Sequence, residues 1–231
     1  SSSPFLGTFD GQNHKIMNLT ISARNFDENG LFGTAGGWEA TQKSTIKGVI
    51  IEQCNIVGGG NTGSLAGINN GLIDNCSSSG LVSGLGNTGG FVGNNIGSIT
   101  NSLCSVTTKG LKTGGFVGIN QNFIKNCRAS GLVSGETSVG GIAGSNFDSM
   151  SNRHITLIEH CSFSGSVEGL NEIGGVVGCN YQSIISNCYN SGSVKGSFKV
   201  GGLAGINDER GQIIYSYNNG PVSGAANANA I

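Results

Sequence analysis

The apolar positions of the chain fall in short runs that recur, and they do not form the long stripes of amphipathic helices. A five-residue core, Gly-Gly-apolar-Ala/Val-Gly, returns along most of the chain with small departures. Its copies are GSLAG (63–67), GGFVG (89–93), GGFVG (114–118), GGIAG (140–144), GGVVG (174–178) and GGLAG (201–205). Each run is bounded by Gly, Asn or Ser, and none reaches the roughly 10–12 residues that a helix needs. The pattern predicts short β-strands throughout.

Three further columns keep phase with this core. An Asn follows two residues after each closing Gly, and the column is Asn69, Asn95, Asn120, Asn146, Asn180 and Asn207. An Ile column comes next: Ile51, Ile73, Ile99, Ile124, Ile158, Ile185 and Ile213. Three residues after each Ile stands a small residue: Cys54, Cys76, Ser102, Cys127, Cys161, Cys188 and Ser216. Columns that stay in phase over so many units indicate a structural repeat.

Such a repeat predicts a solenoid, in which a coil buries its apolar side chains only by stacking on its neighbours. Three strand-length runs per unit give three sides, and equivalent strands pair in parallel at about 4.8 Å per coil. We therefore predict an all-β fold, a parallel and right-handed three-sided β-helix of about seven to eight coils. The predicted single domain (1–231) has irregular N-terminal coils (1–50), repeats (51–224) and a C-terminal tail or truncation edge (225–231).

The columns predict ladders of identical residues. We expect the Ile side chains to point inward, the residues after Ile99, Ile124 and Ile185 to face solvent, and corner Asn residues to hydrogen-bond from coil to coil. The exchange of Cys for Ser along their column indicates a small buried position. We therefore expect the cysteines there to be buried free thiols. A disulfide is disfavoured by the parallel Cβ vectors of stacked cysteines, and structural zinc by the lack of a CxxC pair.

Composition and charge restrict the classes of partner. Gly accounts for 42 of 231 residues, charged residues for 11%, and the net charge is −1. The clustered Lys and Arg that phosphate binding needs are absent from the sequence, so we expect no nucleic-acid partner. No apolar stretch approaches the roughly 18 residues of a membrane span, so we expect no membrane insertion.

The sequence offers no evident catalytic group. A polysaccharide lyase or glycosidase needs carboxylates clustered on one face of adjacent coils. The position after the Ile column instead varies as Asp74, Thr100, Lys125, Glu159, Ser186 and Ile214. Glu159 beside Lys125 is interpreted as a surface ion pair. We assign no catalytic, metal-binding or cofactor-binding residue, and we expect that the chain is not an enzyme.

If the chain binds a partner, we expect the contacts on the variable lateral loops between coils: 85–88, 111–113, 136–139, 170–173 and 197–200. An insertion at 147–156 interrupts the repeat, and tyrosines are concentrated in the last coils. An aromatic strip there could stack on sugar rings, although strands also favour aromatic residues for ordinary packing. The candidate binding residues are Arg153, His154, Tyr181 and Tyr215.

The repeat G-x-G-G-[LFIV]-[AV]-G-x-N…I-x-N-[CS]…G-x-V-x-G resembles the GLUG-motif repeat. The opening FLGTFDGQNHKIMNLTI (5–21) resembles the coil that commonly precedes such repeats. The resemblance implies a bacterial secreted or cell-surface protein built on a parallel β-helix. The repeat region is similar to adhesin-like proteins and to the non-catalytic, peptidase-associated regions of immunoglobulin A1 metallopeptidases. It implies no reaction.

Three functions follow as hypotheses. The leading one is a non-catalytic structural or adhesive module, a monomeric fragment of a larger chain, with a host protein or a glycan as partner. The alternative is a carbohydrate-active β-helix enzyme of the lyase or hydrolase type. Ice binding would need a persistent outward Thr column, and only Thr107, Thr108 and Thr113 cluster.

Overall fold

The computed structural model describes residues 3–39, 41–147, 156–208 and 210–229. Over these residues the chain forms 32 β-strands joined by tight corners, with no helix among them. No segment of the described chain is therefore a helix that could cross a membrane. In chain order the strands are β1 (Gly7–Asp10), β2 (Lys15–Met17), β3 (Thr20–Ala23), β4 (Glu28–Asn29), β5 (Phe32–Ala35), β6 (Ser44–Lys47), β7 (Ile50–Gly58), β8 (Asn61–Thr62), β9 (Ala66–Asn69), β10 (Leu72–Asp74), β11 (Ser77–Ser83), β12 (Asn87–Gly89), β13 (Val92–Asn95), β14 (Ser98–Thr100), β15 (Leu103–Gly110), β16 (Lys112–Gly114), β17 (Val117–Asn120), β18 (Phe123–Lys125), β19 (Arg128–Ala129), β20 (Leu132–Gly140), β21 (Ala143–Phe147), β22 (Leu157–Glu159), β23 (Ser162–Phe163), β24 (Ser166–Gly174), β25 (Val177–Tyr181), β26 (Ile184–Ser186), β27 (Tyr189–Asn190), β28 (Ser193–Gly201), β29 (Ala204–Asp208), β30 (Gln212–Ile214), β31 (Tyr217–Asn218) and β32 (Val222–Asn229).

The strands build three parallel sheets, one on each side of a solenoid. The isoleucine sheet, which carries the Ile column, contains β1, β6, β10, β14, β18, β22, β26 and β30. The asparagine sheet, which carries the Asn column, contains β5, β9, β13, β17, β21, β25 and β29. The other 17 strands form the long sheet. Each coil passes through the isoleucine, long and asparagine sheets in that order, and the described chain forms seven complete coils and part of an eighth.

The predicted all-β, three-sided parallel solenoid of seven to eight coils is therefore confirmed. All described strand pairs that define it are parallel and join equivalent positions of successive coils, as in the pair of Ile99 with Ile124. The right-handed sense stays a prediction, which rests on the right-handed crossover that parallel strands favour.

Three inward columns fill the interior, and their side chains are no more than 2% exposed. The isoleucine sheet supplies Ile46, Ile73, Ile99, Ile124, Ile158 and Ile185. The corner before the asparagine sheet supplies Leu65, Phe91, Phe116, Ile142, Val176 and Leu203. The long sheet supplies Ile56, Val82, Thr108, Val133, Val167 and Val194. Because each side chain contacts its copies in the coils on either side, the burial of one coil depends on both neighbours.

The strand register corrects the start of two predicted columns. Ile73 pairs with Ile46, so Ile46 and not Ile51 is the member of the Ile column in that coil. Cys54 pairs with Gly80 in the long sheet and lies outside the corner column. The assignment of Ile51 and Cys54 to these columns was therefore wrong. Both residues lie in β7, where they happen to have the Ile-x-x-Cys spacing of the columns, but the strand register, which shifts beside Gly80, pairs them with other positions of the next coil.

Glycine in the recurring core allows successive backbones to touch. A Cβ on Gly115 would meet the carbonyl oxygen of Gly141 in the next coil, and a Cβ on Gly141 would meet the carbonyl oxygen of Gly175 and the Phe163 ring. Since no side chain fits between these backbones, the second Gly of the Gly-Gly pair is a packing requirement of the stack.

Candidate functional site

The six predicted Asn ladder residues stand in register in the asparagine sheet: Asn69, Asn95, Asn120, Asn146, Asn180 and Asn207. In the first five, the side-chain Nδ2 donates to the Oδ1 of the Asn in the next coil at 2.7–2.8 Å, and the last, Asn207, donates to the carbonyl of Gly211 at 2.9 Å. The same amides bond the corner backbone, as in the 2.9 Å bond from Asn120 Nδ2 to the carbonyl of Asn122. All except Asn207 are fully buried. Their role is structural, because buried amides bonded to one another are not available to a ligand.

The Cys/Ser column occupies the corner that follows the isoleucine sheet. Each thiol or hydroxyl lies near the carbonyl two residues earlier, as Cys76 Sγ does at 3.2 Å from the oxygen of Asp74 and Ser102 Oγ at 2.7 Å from that of Thr100. Four of them, at positions 76, 102, 188 and 216, also accept a backbone N–H from the preceding coil, as Ser102 Oγ does from Cys76 at 3.2 Å. A thiol and a hydroxyl can both make this pair of bonds, which explains why Cys and Ser exchange here.

All seven cysteines are free thiols, and six of them are buried. Burial raises the pKa of the Cys76 thiol to about 11 and holds the pKa of Cys104 and Cys161 well above the ordinary value. Cys179 differs, since it is half-buried on the outer face of the asparagine sheet. Among the described residues no group of three or more His, Cys, Asp or Glu side chains is placed to hold a metal ion.

We expect six thiols to react slowly with an aromatic disulfide reagent in the folded protein, because all six are buried and the reagent cannot reach them. Cys179 should react first. Counting labelled thiols against time, before and after denaturation, measures this, and Cys179→Ser should remove the fast phase. Rapid labelling of several cysteines in the native protein would contradict the buried ladder.

The variable column after the Ile ladder follows the outer face of the isoleucine sheet. Lys125 Nζ lies 2.7 Å from Glu159 Oε2, which confirms the predicted surface ion pair. The hydrogen bond from Lys125 lowers the pKa of the Glu159 carboxyl. Asp74 accepts a 2.6 Å bond from the Thr100 hydroxyl. Ser186 is 7% exposed, so the expectation that it faces solvent was wrong: its short side chain stands in register between the longer Glu159 and an isoleucine.

The tyrosines of the last coils do not form a single strip. Tyr181 ends β25 in the asparagine sheet, with its ring centroid 5.9 Å from that of Phe147. Tyr215 lies at the corner between β30 and β31 and is 83% exposed. Tyr189 and Tyr217 stack in the long sheet, with centroids 5.5 Å apart and planes 9° apart. The other two candidate binding residues lie outside the described residues: Arg153 and His154.

An open groove of about 490 Å³ follows one corner of the long sheet, and we call it the serine groove. Its first outward column is Ile50, Ser77, Leu103, Arg128, Ser162 and Tyr189. Its second outward column is Glu52, Ser79, Ser105, Ser130 and Ser164. The groove crosses six coils, which at about 4.8 Å per coil makes it roughly 24 Å long.

The charges of the serine groove are few and well separated. Glu52 lies at one end, where its Oε1 is 2.9 Å from Lys15 Nζ. Arg128 lies near the middle, is exposed, and forms no ion pair with another described residue. The groove therefore presents one unneutralised cation among uncharged hydroxyls.

The sequence reasoning missed this groove. A signal was present, since a Ser stands three residues after the Cys/Ser column in five successive units: Ser79, Ser105, Ser130, Ser164 and Ser191. A serine row is equally consistent with a flat solvent face. The concavity depends on how sharply the long sheet bends at this corner, and no residue pattern encodes that angle directly.

Fold and ladders together define the class of protein: a parallel β-solenoid assembled from sequence repeats. The family model "The GLUG motif" matches residues 135–168 and 169–195, about a quarter of the chain. The chain therefore carries two GLUG repeats within residues 135–195.

One curated relative adds to this picture. A stretch of 80 residues, 35% of this chain, is 35% identical to halomucin from Haloquadratum walsbyi. The matched stretch is 1% of the halomucin sequence, so this chain spans only a small part of that relative. No solved structure matches the chain significantly.

Proposed function

We propose that the chain is a non-catalytic, structural and adhesive repeat module of a larger secreted or cell-surface protein. The observation that carries the proposal is the continuous stack of coils, in which parallel strands join each coil to the next and the asparagine ladder runs through six of them. Such a frame holds its lateral loops and the serine groove in fixed positions, which is what a recognition scaffold requires.

The similarity to halomucin, a mucin by its name, supports the extracellular part of the proposal, and the small share of halomucin that is matched, 1%, supports a module of a larger protein. A bacterial source and a host protein or glycan as partner are its finer parts, and the GLUG repeats motivate them. We place the module at the cell surface or outside the cell.

The arrangement of carboxylates favours a binding module over the alternative, a carbohydrate-active enzyme. Catalysis of glycoside hydrolysis needs two carboxyl groups within roughly 5–9.5 Å across the substrate. Among the described residues that line the serine groove, Glu52 is the one carboxylate, and it forms an ion pair with Lys15. Glu159 lies on the outer face of the isoleucine sheet, where Lys125 pairs with it.

We expect the protein to release no product from acidic or neutral polysaccharides or from peptides. The assay measures new reducing ends, unsaturated uronic acids and cleaved peptides after prolonged incubation with concentrated protein. Glu52→Gln and Glu159→Gln serve as variants, because each removes one of the carboxylates that an enzyme would need.

Turnover that either substitution abolishes would overturn the non-catalytic proposal. The extracellular location has its own test, which is antibody labelling of intact cells of the organism that carries the gene. Labelling that appears only after the cells are permeabilised would overturn that part.

A further inference from the structure

We propose that the serine groove binds a linear acidic polysaccharide, with Arg128 contacting a carboxylate or sulfate group and Tyr189 stacking on a neighbouring sugar ring. The inference names a ligand class and a site for the adhesive role, and it rests on the proposed function. It follows from the shape of the groove, its hydroxyl rows, its single unpaired cation and its aromatic end.

The shape of the groove selects an extended ligand. The groove runs along the stacking direction across six coils, over roughly 24 Å, and it is open to solvent along its length. A compact small molecule would fill only a fraction of it. A linear polymer can follow the same side-chain columns from coil to coil, because the lining repeats with the period of the coils.

Four serine hydroxyls of the groove form only long hydrogen bonds, or none, with other described residues. Ser105 Oγ donates to the carbonyl of Ser78 at 3.5 Å, and Ser79 Oγ accepts from the backbone of Gln53 at 3.4 Å, both at the long limit for a hydrogen bond. Ser130 and Ser164 make no side-chain hydrogen bond to another described residue. Rows of groups that both donate and accept suit a ligand rich in hydroxyls.

Arg128 gives the preference for an anion. Its neighbours in the column are Leu103 and Ser162, neither of which can neutralise it. The one carboxylate of the groove, Glu52, lies three coils away and already has Lys15 as its partner. A guanidinium binds carboxylate or sulfate oxygens in a bidentate manner, so a charged sugar is favoured over a neutral one.

A notch between Arg128 and Tyr189 can hold one sugar ring. The two residues stand two coils apart in one column, about 9.6 Å along the axis, and only the short side chain of Ser162 lies between them. Tyr217 stacks on the far side of Tyr189 at 5.5 Å, which fixes the orientation of the Tyr189 ring. A ring in the notch would lie about 4.8 Å from each wall, which is stacking distance.

A protein partner fits the groove less well. The centres of protein interfaces are enriched in aromatic and other apolar anchors and depleted of small hydroxyl residues. Here the exposed apolar side chains of the lining are scattered singly, as Leu103 is at 52% exposure. Most of the remaining lining is serine.

The test is calorimetric titration of the whole chain with three linear probes: an oligogalacturonate, its carboxyl-reduced counterpart and a sulfated dextran oligosaccharide. The groove variants are Arg128→Gln and Tyr189→Leu. The matched controls are Lys195→Gln, an exposed cation of the long sheet outside the groove, and Tyr215→Leu, an exposed tyrosine at a corner outside it.

We expect the reduced oligosaccharide to bind at least about tenfold more weakly than the acid, because it loses the charge-assisted bond. Arg128→Gln should weaken binding of the acid by about the same factor, and Tyr189→Leu by about threefold to tenfold. The controls should change affinity by less than about twofold, since neither side chain lines the groove and salt screens the charge of an exposed lysine. Tighter binding of the sulfated or the carboxylated probe identifies the anion.

Three results would overturn the inference: no binding of either acidic probe, equal binding of the acid and its reduced form, or equal losses from Arg128→Gln and Lys195→Gln. Capture of a protein at this groove without glycan binding would also overturn it. These failures leave the proposed function standing, since that proposal depends on the absence of turnover and on location. Turnover of the bound polysaccharide would instead overturn the proposed function while the groove assignment held.

Discussion

Ile124→Ala is expected to lower the free energy of unfolding by about 2–5 kcal/mol. Ile124 is 0% exposed and pairs in register with Ile99 on one side and Ile158 on the other. Truncation removes buried methyl groups and leaves a cavity that the two flanking coils cannot fill, because strand pairing fixes the spacing between coils. Chemical denaturation, with the slope of the transition compared between variant and parent, measures the loss.

Phe123→Ala is the matched control for this experiment. Phe123 precedes Ile124 in the same strand, points to the outer face and is 38% exposed. Its truncation should cost less, about 1–2 kcal/mol, since the side chain is only partly buried and its removal leaves no enclosed cavity. A similar loss at both positions, or a loss under about 1 kcal/mol at Ile124, would contradict the inward Ile ladder.

Asn120→Leu is expected to have a comparable effect for a different reason. The substitution keeps the branched shape of the side chain, with larger methyl groups, but removes the Oδ1 that accepts from Asn95 at 2.8 Å and the Nδ2 that donates to Asn146 at 2.8 Å. Each of these partners then keeps a buried polar group without its bond, at about 1–3 kcal/mol apiece. We expect a total loss of about 2–6 kcal/mol, measured by the same denaturation experiment.

Asn87→Leu is the matched control, because it removes a similar hydrogen bond at a partly exposed position. Asn87 Nδ2 donates to Asn61 Oδ1 at 2.9 Å in the long sheet, so the hydrogen bond has the same chemistry, but both side chains are partly exposed. Water can replace the lost partner there, and the cost should stay below about 1 kcal/mol. Equal losses for the two leucine variants would show that burial of the ladder contributes nothing.

The architecture was predictable because the repeat imposes the same requirement on every coil. Asn120 and Ile124 keep their spacing in neighbouring units, and residues that must match their copies in adjacent coils have few alternatives. The phase of the columns therefore predicted which side chains point inward. The ion pair of Lys125 with Glu159 followed from the same alignment, since it joins equivalent positions of adjacent coils.

The errors arose where the alignment lacked this constraint. Ile51 and Cys54 imitate the column spacing inside β7, and only the strand register, shifted at Gly80, shows that Ile46 takes the column position. The serine groove was missed for another reason: its residues repeat, but its concavity is a property of the corner between two segments of the long sheet. Tyr189 and Tyr217 stack because they are in register, whereas Tyr181 and Tyr215 lie in other parts of the coil.

The coil-by-coil hydrogen bonding has a mechanical consequence. A pull along the rod loads the ladder of each terminal coil in turn, so coils detach one after another and the inner coils stay folded. Equivalent residues of adjacent coils are 25 positions apart, as Asn95 and Asn120 are. A released coil therefore changes about 4.8 Å of rod into roughly 80–90 Å of extended chain. A tether built from such coils would lengthen many-fold under tension, absorb the load in small steps, and recoil by restacking on the coils that remain.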